Sequence, residues 1–145
     1  MSFIVRKAEE EDALQIQHFM VKTGVNQQIP TGDWSSFLIA ENDKGDFVSI
    51  VRIQEVTDKI GLIRSLIVDS DKITTMFILE FLEAILHYAE DKGITSSYLL
   101  AANNASFLNP LGFKKVDDNS LPTELTALKD VEDHVRKGLP IFVKQ

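Results

Sequence analysis

The chain has 145 residues, 44% hydrophobic and 26% charged, enough for one compact domain with a real core and too few for two. It has no cysteine, which excludes disulfides and thiolate chemistry, and its three histidines show no metal-ligand spacing, so no metal site is expected. A formal net charge of -7 disfavours nucleic acid and anionic membranes as partners, since both need a cationic footprint.

Phe3 to Lys7 reads as a short strand, and the acids Glu9 to Asp12 load the start of a helix that Ala13, Ile16 and Met20 continue to about Lys22. Thr23 to Trp34, rich in glycine and amides, reads as an irregular loop. Ser36 to Glu41 is the next strand, and Asn42 to Asp46 is a turn in which Gly45 can supply positive φ. From Phe47 to Thr57, Val48, Ile50 and Ile53 interleave with Ser49, Arg52 and Gln54, an alternation that predicts a second hairpin arm. Leu62 to Val68 is a buried strand closed by the polar cluster Asp69 to Lys72.

From Ile73 the period changes to that of a helix: Ile78, Leu82, Ile85 and Ala89 share one face, while Glu80, Glu83, His87 and Glu90 form the wet one. The first amides of this long helix point back toward the end of the preceding strand, and unpaired amides with the positive end of a helix dipole suit an anion. Lys92 and Gly93 stop the helix, and Thr95 to Ala102 is a strand expected to run parallel to Leu62–Val68 through a right-handed crossover. Asn103 to Asn109 offers about one helical turn before Pro110, Leu111 to Val116 begins another strand, a helix from Leu121 runs to about Lys137, and Leu139 to Lys144 closes the sheet. The segment MSFIVRKAEEED has no long apolar run and nothing else is long enough to span a bilayer, so a cytoplasmic location is expected.

The strings FIVRKAEEEDA, SFLIAENDKGDFVSIVRI, IRSLIV, GITSSYLLAANN and LGFKKV, in this order around one long helix, resemble the GNAT superfamily of N-acetyltransferases over nearly the whole chain. IRSLIV with LGFKKVDDNSLPTEL and the final PIFVK is most similar to the branch of N-acetylglutamate synthases and other amino-acid acetyltransferases. The resemblance implies an α/β (α+β) three-layer fold, with a mixed, mostly antiparallel sheet splayed into a V at its centre and flanked by helices. It also implies acetyl-CoA as co-substrate and a small-molecule amine as acceptor, attacking the thioester directly. The pantetheine arm would lie as a pseudo-strand beside Leu66, Ile67 and Val68. The pyrophosphate would sit on Lys72, Ile73, Thr74, Thr75, Met76, Phe77 and Ile78, with Asn104 touching the cofactor as well.

The sequence departs from that pattern where relatives carry an Arg or Gln followed by glycines, for Ile73, Thr74, Met76 and Ile78 stand there. Asp69 and Asp71 flank Lys72 and would repel a pyrophosphate. The tyrosine that often protonates the leaving thiolate falls at Leu108, and a glutamate often placed to act as base falls at Leu62. The candidates left for catalysis are Glu55 and Ser65, and for substrate binding Arg52, Arg64 and Trp34. Each has a plainer role: a cross-strand surface pair for Arg52 and Glu55, an ion pair with a neighbouring carboxylate for Arg64, a packed core residue for Ser65, and a loop anchor for Trp34. Two readings therefore stand, an N-acetyltransferase and a protein of the same fold that has lost acetyl-CoA binding and serves as a ligand sensor or interaction module. A homodimer is compatible with either.

Overall fold

A computed structural model describes residues 3–24, 36–69, 71, 74–101 and 106–145, without the side chains of Ser65, Thr75, Ser106 and Phe107. Its strands are β1 (Phe3–Lys7), β2 (Phe37–Asn42), β3 (Phe47–Glu55), β4 (Ile60–Val68), β5 (Ser96–Leu100), β6 (Lys114–Lys115) and β7 (Ile141–Lys144). Its α-helices are α1 (Ala13–Lys22), α2 (Thr75–Asp91), α3 (Thr123–Thr126) and α4 (Lys129–Arg136). Contacts divide the chain into two compact units, one of Met1–Ile53 with Ser65–Ala84, the other of Gln54–Arg64 with Ile85–Gln145.

In the first unit β1 pairs antiparallel with β2 and β2 with β3, and β3 is followed in the sheet by β4. Residues opposite one another share a face, so Arg6, Ile39 and Ile50 project together. Over that face lies α1, burying Ala8, Ile16, Phe19 and Met20 against Phe37, Ile39, Phe47, Ile50 and Ile67. The other face carries Phe3, whose ring meets Phe77 of α2 edge-on at 4.5 Å, and Phe77 in turn stacks on Phe81 at 5.9 Å. With helices on both faces, the first half of β3 has no wet side. Phe47 to Val51 are all buried, Ser49 included, so the alternation read from the sequence holds only from Arg52 to Glu55, and the earlier part of the strand is covered on both faces.

In the second unit β4 pairs parallel with β5, from Ile60↔Ser96 to Ile63↔Leu99, and β7 lies antiparallel between β5 and β6. The parallel crossover expected from the intervening helix is thus present. Leu62, Tyr98 and Ile141 pack under Leu125 of α3 and Val131 of α4. The single helix expected from Leu121 to Lys137 is two helices, because Leu128 adopts an extended conformation (φ -81, ψ 130) that places its side chain on this core and starts α4 anew. Pro110 lies inside a 3-10 helix, Ser106–Leu111, rather than ending it, since proline's missing N–H costs less in so short an element. Gly61 has no Cβ for a packing reason: one would sit 3.0 Å from Ile94 Cδ1.

The entry to α1 is fixed by charge. Arg6 donates from both terminal nitrogens to Asp12 at 2.8 Å and from Nε to Glu41 at 2.7 Å, while Glu9 N–H donates to Asp12 Oδ2 at 2.8 Å. The Arg6 hydrogen bonds hold the buried Asp12 carboxyl below its ordinary range. A depressed folded-state pKa contributes stability that is present above about pH 4 and lost as pH falls through the folded value. Asp12→Asn is expected to cost about 2 kcal/mol at pH 7, between the worth of an exposed pair and a fully buried one because Arg6 is partly solvated, and to flatten the acid limb of the stability–pH curve. Chemical denaturation across pH 2–7 (roughly the carboxylate range) measures both effects.

Candidate functional site

The backbone of β4 defines its own sides. Ser49 Oγ donates to the Ile67 carbonyl at 2.8 Å, and Asp69 N–H donates to the Val48 carbonyl at 3.0 Å, so the odd-numbered residues at the end of β4 turn their peptide groups toward β3. In an extended strand the alternate residues turn theirs the other way, which directs the N–H and C=O groups of Leu66 and Val68 away from β3. Among the described residues the β4–β5 register ends at Ile63↔Leu99, and β4 continues to Val68. Ile67 itself faces the core under α1, so of the three residues assigned to pantetheine its side chain is a packing group.

The start of α2 is capped from within. Thr74 Oγ1 accepts the Phe77 N–H at 3.2 Å and the Thr74 carbonyl accepts the Ile78 N–H at 3.3 Å, which makes Thr74 the N-cap. The Phe77 and Ile78 amides assigned to a pyrophosphate are therefore spent inside the helix. Thr75 and Met76 stand at the first two helical positions, where an α-helix offers its amides no internal acceptor. The Phe77 side chain belongs to the aromatic cluster with Phe3 and Phe81, whereas Met76 projects outward at 63% exposure. Lys72, Ile73 and Asn104 lie outside the described residues, as do Asn103 and Trp34, and nothing is described of the Thr75 and Ser65 side chains.

Between β4 and α2 stands a buried acid. Asp69 is 4% exposed, its Oδ2 meets Lys22 Nζ of α1 at 3.0 Å, and its Oδ1 accepts the Asp71 N–H at 3.2 Å. Sequence reasoning took Asp69 for a charge facing any bound phosphate and missed Lys22, which reads from sequence only as a cation closing a helix. Ser49 was missed as well, hidden in what looked like a polar face.

The polar candidates have partners of their own. Arg64 on β4 is ion-paired with Asp130 in the first turn of α4 and bonded to Gln54, the plainer of its two expected roles. Arg52 Nε donates to Ser36 Oγ at 3.3 Å. Glu55 is exposed, with Lys92 Nζ 3.8 Å away, and Lys92 also lies 4.9 Å from the centre of the Tyr88 ring, whose hydroxyl chiefly raises the lysine pKa. Arg52 and Glu55 stand three positions apart along one strand, which sends their side chains to opposite faces, and each has its own partner. His134 Nε2 meets the Pro140 carbonyl at 2.9 Å. Among the described residues no group of acids and histidines could hold a metal ion, and no helix is long and apolar enough to cross a membrane.

No protein-family model matches the chain. It is 26% identical over 127 residues, 86% of its length and 84% of the relative's, to the uncharacterized protein YwlB of Bacillus subtilis. Among solved structures, N-acetylglutamate synthase from Neisseria gonorrhoeae complexed with coenzyme A and N-acetyl-glutamate matches with a TM-score of 0.77 at 19% identity, over 99% of this chain and 35% of that one. Rv2747 from Mycobacterium tuberculosis, in complex with CoA, matches with a TM-score of 0.78 at 16% identity, over 97% of this chain and 98% of that one. A GNAT-family acetyltransferase from Staphylococcus aureus Mu50 matches with a TM-score of 0.72 at 11% identity, over 99% and 98%. The fold of this chain is that of the GNAT acetyltransferases, and the chain spans about a third of the length of the N-acetylglutamate synthase it matches.

Removing the Ser49 hydroxyl leaves the Ile67 carbonyl buried without that donor, which costs about 1–3 kcal/mol in such surroundings. Ser49→Ala is expected to lower stability by that amount, read by urea denaturation, and to speed hydrogen exchange at the end of β4 beyond the rest of the sheet.

Proposed function

We propose that the chain is an N-acetyltransferase that moves the acetyl group of acetyl-CoA onto the amine of a small molecule. An amino acid is the acceptor class favoured by the likeness to N-acetylglutamate synthase. The observation that carries the reading is the backbone of β4, which past its ladder with β5 turns the peptide groups of Leu66 and Val68 away from β3. Those groups suit a ligand that lies along the strand and bears amides of its own, as pantetheine does. The amides of Thr75 and Met76 supply the positive end of α2 for the phosphates. Transfer forms the amide bond as the thioester C–S bond breaks. The amine's proton goes to water or a base, and the sulfur leaves as thiolate or, once protonated, as thiol.

A second reading is favoured by a specific observation: no glycine occurs from Leu62 to Lys92, and the Thr74 hydroxyl already occupies an amide of the first turn of α2. In that reading the chain keeps the fold without binding acetyl-CoA and serves as a sensor or interaction module.

Thermal unfolding with and without acetyl-CoA separates the two. A ligand at a hundred times its Kd stabilises by about 2.7 kcal/mol, a rise of roughly 6–10 °C for a chain of this size. The transferase reading expects that rise, together with release of CoA thiol when amino acids are supplied. No rise at millimolar acetyl-CoA overturns it in favour of the second reading. Thr74→Glu, which sets a carboxylate at the start of α2, is expected to lower acetyl-CoA affinity at least tenfold, as measured by titration calorimetry.

A further inference from the structure

Arg64 is the one ionisable residue of β4, and its charge is already matched. Leu62 packs under Leu125 of α3 and Val131 of α4, and Arg64, two residues further along the strand, turns to the same face and meets Asp130 in the first turn of α4. The Gln54 side chain accepts a further hydrogen bond from the guanidinium. The two ends of the ion pair are differently placed: the Arg64 side chain is 17% exposed and that of Asp130 is 53% exposed. A molecule approaching this face meets a carboxylate, with the matching cation behind it. On the transferase reading the pantetheine arm lies along Leu66 and Val68. Because β5 occupies the edge of β4 as far as Ile63↔Leu99, the arm stops beside Arg64, the first residue past that ladder, and the thioester stands there. The reacting amine has to come to the edge of the strand, whereas Asp130 belongs to a helix over its face and is met by the rest of the acceptor. An acidic group there would have to displace Asp130 from Arg64, while a cationic group joins the pair without breaking it. The net charge of -7 draws cations toward the protein as well.

We propose that Asp130 is a specificity-determining residue that selects an acceptor bearing a second positive charge, a basic amino acid rather than an acidic one. The inference rests on the transferase reading and names the substrate class of that same site. Its mark is a ratio. A side chain that only holds α4 to the sheet affects every acceptor in step, whereas a charge that reads the acceptor affects lysine and glutamate in opposite directions.

The test measures release of CoA thiol from acetyl-CoA with lysine and with glutamate as acceptors, and reads kcat/KM for the first divided by that for the second. The parent is expected to favour lysine. Asp130→Asn is expected to lower the ratio at least tenfold, since a unit charge acting over roughly 6 Å near a protein surface is worth that factor or more. Asp130→Glu, which keeps the charge, is expected to keep the preference for lysine. Should Asp130→Asn fold poorly because it leaves the Arg64 charge without its carboxylate, the double variant Arg64→Gln/Asp130→Asn removes both charges and is expected to lose the preference as well. A parent that favours glutamate overturns the inference, as does a ratio that neither Asp130→Asn nor the double variant moves. Turnover of neither acceptor by a parent that acetyl-CoA stabilises against heat also overturns the inference, and it alone. A parent that acetyl-CoA does not stabilise overturns the transferase reading and this inference with it.

Discussion

The hydrogen bonds that join the end of β4 to β3 constrain everything the candidate site can do. Because Ile67 and Asp69 give their peptide groups to Ser49 and Val48, the intervening Leu66 and Val68 have to present theirs in the opposite direction. This is a consequence of strand geometry and of one buried serine, and it holds whatever side chains occupy those positions. Main-chain geometry of this kind does not depend on side-chain identity, and the fold match at a TM-score of 0.77 stands alongside 19% identity.

The start of α2 shows the same economy from the other direction. A glycine-rich loop would present several amides to a phosphate at close range. Here Thr74 has become the cap, and capping by a hydroxyl removes an amide from the set a ligand can use. What the first turn retains is the helix dipole and the two leading positions, Thr75 and Met76. The turn after β4 is tied instead to α1, through the ion pair between Lys22 and Asp69.

Much of the architecture was legible in the sequence because it is written in short-range patterns. The period change after Val68, the acids before Ala13 and the positive-φ turn at Gly45 correspond to β4 and α2, the start of α1 and the β2–β3 turn. The wet face of α2 was also correct, with Glu80, Glu83, His87 and Glu90 exposed. Features that depend on partners distant in sequence were not legible. Ser49 looked solvated because alternation cannot report that a second layer covers the strand. Lys22 and Asp69 are 47 residues apart, and no local rule pairs them. The break at Leu128 arises because a core of Leu62, Tyr98 and Ile141 draws that side chain inward against a helical propensity that would have carried the chain on.

The outermost strand of the first unit has a bearing on solubility. An edge strand is a template on which another extended chain can grow a sheet, and β1 is five residues long with exposed Ile4 near its start. At its centre-right stands Arg6, whose guanidinium is held charged by Asp12 and Glu41 on the side of its own sheet. An incoming strand would have to desolvate that cation or pull it from its carboxylates. The arginine that organises the entry to α1 thereby also sets a permanently ionised group on the edge strand.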